Sequence, residues 1–135
     1  MQTKSVLGLA EANKIIDTAR AEAEKHGWNV AIALVDDGGH PLALTRLDGA
    51  SPLSAYIAIE KARTAALGRR DSKAYEDMIN GGRTAFLSAP LIQGALEGGV
   101  PVVVGGHVVG AVGVSGVKSE QDAHVARTAA QSIEG

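Results

Sequence analysis

The chain has 135 residues, a net charge of −2 and four aromatic rings, Trp28, Tyr56, Tyr75 and Phe86, which leaves neither a positive field nor a stacking platform for nucleic acid. The absence of cysteine excludes disulfides, thiolate nucleophiles, Fe–S clusters and Cys-ligated zinc. With 45% apolar and 21% charged residues, no signal-like leader and no apolar run of membrane-spanning length, the sequence predicts one globular domain over residues 1–135, resident in the cytoplasm.

Leu9, Ala12, Ile15, Ile16, Ala19 and Ala23 recur at spacings of three and four, predicting a helix over 9–26 that Gly27 terminates. The apolar run Val30 to Val35 reads as a buried strand. Asp36-Asp37-Gly38-Gly39 is a turn, and residues 41–48 return as the second strand of a hairpin. Ser51-Pro52 starts a helix over 52–67 with an alanine face, stopped by Gly68. Residues 71–79 suggest a short helix, and the stretch to Leu96 is irregular around Pro90. A second hairpin follows, with strands over 101–104 and 107–114 around Gly105-Gly106. Gly110 and Gly113 within its return strand signal a bulge or a close backbone. Ser119 to Asp122 resembles a capping box opening a final helix to about 132. The order α-β-β-α-(irregular)-β-β-α is an α+β sandwich with an antiparallel sheet. Its 23 alanines and 17 glycines allow close backbone packing but bury little area per contact, so part of the surface is expected to be covered in a homo-oligomer.

Four histidines are the candidates for titration near neutrality or for ligating iron or zinc. His40 and His107 leave Gly-Gly turns, His26 closes the first helix, where a cation suits the dipole, and His124 opens the last. No two share the His-x-x-x-His spacing of a helical metal site, so a metal enzyme is not predicted. Arg46, Asp48 and Lys61 form a second candidate cluster, either a salt-bridged surface or an anion-binding edge. Gly98 and Gly99 offer backbone amides for an anion nest or are simple turn residues. Ser115 in Gly113-Val-Ser-Gly116 lacks the nucleophile-elbow pattern.

Several stretches, in order, carry a resemblance: Val30–Gly39, Arg46–Ala50, Lys61–Ala65, Gly98–Pro101, Val109–Gly116 and Gln121-Asp122. Together they resemble the GlcG/HbpS family, which includes the C-terminal domain of PduO-type corrinoid adenosyltransferases. The resemblance implies a profilin-like α/β/α sandwich, an antiparallel sheet of about five strands covered by helices, and a homo-oligomer. It also implies haem binding in some members, with handling or degradation of haem, and a setting in catabolic operons in many. A haem would take an axial ligand from His26, His124, His40 or His107, and Arg46 or Lys61 would meet its propionates. The scarcity of rings argues against a deep haem pocket. The alternative is an enzyme or binder for a small organic acid, of isomerase, hydratase or lyase type. There Arg46, Asp48 and Lys61 are the catalytic candidates, and Gly98, Gly99 and Ser115 complete the ligand set. A third reading is a structural or regulatory oligomer with no small ligand. Fold and family do not choose among these.

Overall fold

The structure is a computed structural model and describes residues 1–133. Helix α1 (Leu9–His26) begins where Glu11 accepts the Gly8 N–H through Oε1 at 2.9 Å. It ends at Gly27, whose φ of 70° lets Trp28 N–H turn back onto Ala23 O at 2.9 Å. Its buried stripe of Ala12, Ile15, Ile16, Ala19 and Ala23 matches the predicted periodicity.

Strands β1 (Ala31–Asp36), β2 (Pro41–Arg46), β3 (Gly99–Val104) and β4 (His107–Ser115) form one sheet in the order β2-β1-β4-β3, antiparallel throughout. The central strands β1 and β4 are buried on both faces, which explains their continuous apolar runs. Gly105 and Gly106 take φ of 57° and 78°, the mirror-image turn that suits a two-residue hairpin.

Helices cover both faces. On one, α1 and α4 (Ser119–Ala130) enclose Ile15, Val30, Ile32, Leu34, Val112, Val114 and Val125. On the other, α2 (Pro52–Gly68) packs Ala58, Ala62, Ala65 and Ala66 onto Ala31, Ala33, Val35 and Ala111. Small residues on both sides bring backbone against backbone: a Cβ at Gly113 would lie 2.0 Å from Ala58 O. This close approach is the reason for a glycine at position 113 of β4.

The α/β/α sandwich and the irregular stretch between the third helix and the second hairpin are as predicted, with four corrections to the rest. The sheet has four strands among the described residues, not about five. The stretch after α3 (Ser72–Asn80) holds only a 3-10 turn at Thr84–Ser88, then runs irregularly alongside α2, pinned where Gly94 N–H donates to Thr64 Oγ1 at 3.1 Å. Gly68 does not stop α2; Arg69 takes the left-handed φ of 57°, and Gly68 is small because the Tyr75 hydroxyl lies against it. The strand carrying Arg46 ends there, leaving Asp48 in the following turn. The N-cap of α4 is Lys118 rather than Ser119, its N–H donating to Gln121 Oε1 at 3.3 Å.

Candidate functional site

The last turn of α1 sets Glu22 and His26 four residues apart on one face, and packing of α4 against α1 brings His124 to the same place. Both imidazoles direct Nε2 at one oxygen, Glu22 Oε2, at 2.9 Å from His26 and 2.7 Å from His124. The His124 hydrogen bond, then that of His26, holds the Glu22 carboxyl below its usual range, against a weaker upward push from burial. Lys25 Nζ stands 4.0 Å from the other oxygen, Oε1. The Trp28 indole stacks on His26 with ring centroids 4.3 Å apart and meets His124 edge-on at 6.2 Å. The two imidazoles are themselves edge-to-face at 5.7 Å. Glu22 is 14% exposed, His26 35% and His124 50%, so the cluster opens to solvent on one side.

Trp28 also borders a cleft of about 500 Å³ between the end of α1 and the end of β2. Arg20, Glu24, Gly27, Asn29, Thr45, Leu47 and Asp48 complete its walls with Arg46. Arg20 is paired with Glu24 at 2.9 Å. Arg46 and Asp48 make no ion pair among the described residues, with each other or with any other group.

The anion-binding trio of Arg46, Asp48 and Lys61 is not assembled. Lys61 is buried in α2 and donates to Val114 O at 2.9 Å and to Asp122 Oδ2 at 3.1 Å. Burial pushes the Asp122 carboxyl up, opposed by the Lys61 charge and the Val117 and Gly116 N–H groups. Gly98 packs against the ammonium of this pair and Gly99 against the Lys61 backbone. A Cβ on Gly98 would lie 2.7 Å from Lys61 Nζ, and Gly99 N–H is taken by Ser72 Oγ at 2.8 Å. Ser115 is buried opposite Ala31 at the end of β4 and does not line the cleft. His40 and His107 stand exposed at separate hairpin ends, His40 tied through Nδ1 to Asp36 at 3.0 Å.

The cluster is therefore not a His–His pair on one helix but a Glu–His pair on α1 joined by a histidine of α4. The Glu22-x-x-x-His26 spacing was readable in the sequence, whereas the arrival of His124 is a product of tertiary packing.

The comparisons agree with this architecture. Residues 7–131 match the family model described as "Haem degrading protein HbpS-like". Protein GlcG of Escherichia coli K12 is 59% identical over 115 residues, covering 85% of each chain. Among solved structures, a double-mutant form of HbpS from Streptomyces reticuli superposes with a TM-score of 0.88 at 31% identity, over 98% of this chain and 90% of that one. The complex of PduOC with haem gives a TM-score of 0.85 at 26% identity, over 96% of both chains. None of the described helices is long and apolar enough to cross a membrane. With a family model spanning nearly all of its length and a curated relative at this identity, the chain belongs to the HbpS-like family.

Proposed function

We propose that this protein binds haem at the imidazole cluster, in a haem-handling role. The observation that carries the reading is that Trp28 belongs both to the His26/His124 cluster and to the cleft bordered by Arg20 and Arg46. The residues fit the group on chemical grounds. Two half-exposed imidazoles offer axial nitrogens, the indole offers a flat apolar wall, and the guanidinium of Arg46 offers a grip for a propionate. Bound haem would supply an iron centre for redox or small-ligand chemistry. Glu22 fixes the orientation and tautomer of both rings, and the stacked Trp28 restrains His26.

Titration of the apo-protein with hemin tests this. A saturable Soret shift, accompanied by quenching of the single tryptophan, is the expected result. Its loss in His26→Ala or His124→Ala with unchanged circular dichroism supports an axial imidazole. A band that survives in single variants of all four histidines overturns it.

A small organic acid in the same cleft is the second reading, favoured by the unpaired guanidinium of Arg46 among the described residues. Thermal stabilisation by members of an acid panel, lost in Arg46→Ala, would support it; no shift across the panel would remove it.

Self-association is part of the proposal. Leu44 and the helix residues Leu53 and Tyr56 are exposed apolar groups, and Leu44 pairs with Ala33 on the sheet face that α2 covers. Leu53→Asp with Tyr56→Asp is expected to shift the protein to a smaller species on size-exclusion chromatography.

A further inference from the structure

We infer that Glu22, His26 and His124 form a binding site for a first-row transition-metal dication, used without any porphyrin. The reading goes beyond haem binding and does not rest on it. One carboxylate oxygen and two imidazole nitrogens lie within 4.8 Å of one another, from two helices packed side by side. They already converge, since both Nε2 atoms point at Glu22 Oε2 at 2.7 and 2.9 Å, close to the separation of neighbouring ligands around a small dication. The hydrogen bonds hold the donors together in the absence of an ion. On binding, each Nε2 gives up its proton to solvent or to its own Nδ1, and the freed lone pairs and the carboxylate turn to the metal.

The donor set decides the class of ion. Two imidazoles and one carboxylate suit Zn(II), Co(II), Ni(II), Cu(II) or Fe(II), whereas Ca(II) and Mg(II) take oxygen ligands. Three protein donors on a face open to solvent leave the remaining coordination positions to water or to a carboxylate ligand. The ordering around the site is already in place. Trp28 restrains His26 by stacking, and Lys25 stands beside Oε1, so Oε2 is the oxygen presented to the ion. The Lys25 ammonium beside the carboxylate offsets part of its negative potential, which sets an affinity below that of a closed structural zinc site.

A dication here occupies the imidazoles that an axial haem ligand would need, so the two ligands exclude one another at this cluster.

Co(II) and Zn(II), added to the apo-protein with no haem present, provide the test. Co(II) is followed by its visible d–d absorption and by quenching of Trp28 fluorescence, and Zn(II) by calorimetry. The expected result is saturable binding at one ion per chain, no heat with Mg(II), and affinity reduced at least about tenfold in His124→Ala and in Glu22→Gln. His124 is half-exposed and Glu22 borders solvent, and circular dichroism is used to check that both variants fold. His40→Ala, which removes an imidazole far from the cluster, is expected to bind as wild type. Absence of saturable binding overturns the site, as does binding that both cluster variants retain or that His40→Ala abolishes. Because no haem is present, failure here leaves the hemin titration intact, and failure of the hemin titration leaves this site intact.

Discussion

The ammonium of Lys61 meets the carboxylate of Asp122 at 3.1 Å with both side chains about 95% or more buried. Lys61 belongs to α2 on one face of the sheet and Asp122 to α4 on the other, so the pair ties the two helical layers together past the end of β4. Val114 O takes a second ammonium proton, and Val117 N–H donates to Asp122 Oδ1 at 3.1 Å. Removing one partner leaves a buried charge without its counterpart. Lys61→Met or Asp122→Ala alone is expected to cost about 3–5 kcal/mol, and Lys61→Met with Asp122→Leu distinctly less than the sum. Urea denaturation of the three variants measures this.

The alanine and glycine seam between α2 and β4 has no room for added atoms. Gly113→Ala puts a methyl group 2.0 Å from Ala58 O, which is backbone and cannot rotate away. A loss of at least about 1–3 kcal/mol is expected. Gly105→Ala, whose Cβ meets nothing within 4 Å, separates crowding from turn strain, since its cost comes only from its φ of 57°. Thermal melts of the two variants compare the effects.

The first hairpin carries a pH-dependent contribution. Asp36 Oδ1 accepts the N–H of Gly38 and of His40, each at 2.9 Å, and faces His40 Nδ1. Burial pushes this carboxyl up, but those N–H groups and the imidazole outweigh it and hold the group below its ordinary value. A carboxyl depressed in the folded state stabilises the protein above the unfolded carboxylate range, and the contribution fades as pH falls through the folded value. Asp36→Asn is therefore expected to melt about 2–5 °C below wild type at pH 6, with the gap closing towards pH 3. Paired melts across that range decide it.

Arg46 is the residue on which the cleft reading turns. Arg46→Ala is expected to weaken hemin binding about tenfold while leaving the melting temperature unchanged, because the exposed guanidinium makes no ion pair among the described residues. Arg46→Lys should recover only part of the loss, since an ammonium lacks the planar fork that grips a carboxylate. Soret titrations of the two variants against wild type give the ratio.

Where the chain announces its structure, it does so through local chemistry. Helix α1 was legible at both ends, because its apolar spacing is regular and Gly27 alone among its flanking residues takes the left-handed turn. The two hairpins were legible from Gly38-Gly39 and Gly105-Gly106. Charge misled where the fold buries it. Lys61 reads in the sequence as part of a salt-bridged surface or an anion-binding edge with Arg46 and Asp48, yet it faces inward to Asp122 while Arg63 pairs with Glu60 near the surface. The expectation of about five strands came from family likeness, whereas the local reading of four strands with an irregular stretch before β3 matches the described residues, that stretch being pinned to α2 where Gly94 N–H donates to Thr64 Oγ1. His26 was among the candidates, but its partners Glu22 and His124 meet only because α1 and α4 pack side by side. No one-dimensional spacing encodes a pairing across about a hundred residues.

That pairing has a thermodynamic corollary. Glu22 and His124 sit near opposite ends of the chain, on helices that lie over the same apolar layer. Any ligand that grips both imidazoles works as a clasp between the first helix and the last. Its binding energy is then added to the docking of α4, and opening of the terminal helix must first release the ligand. Ligand concentration would thereby set how often the backbone amides of both helices exchange their hydrogens with water. The rim of the molecule, ordinarily the first part to fray, would become its most ligand-sensitive segment.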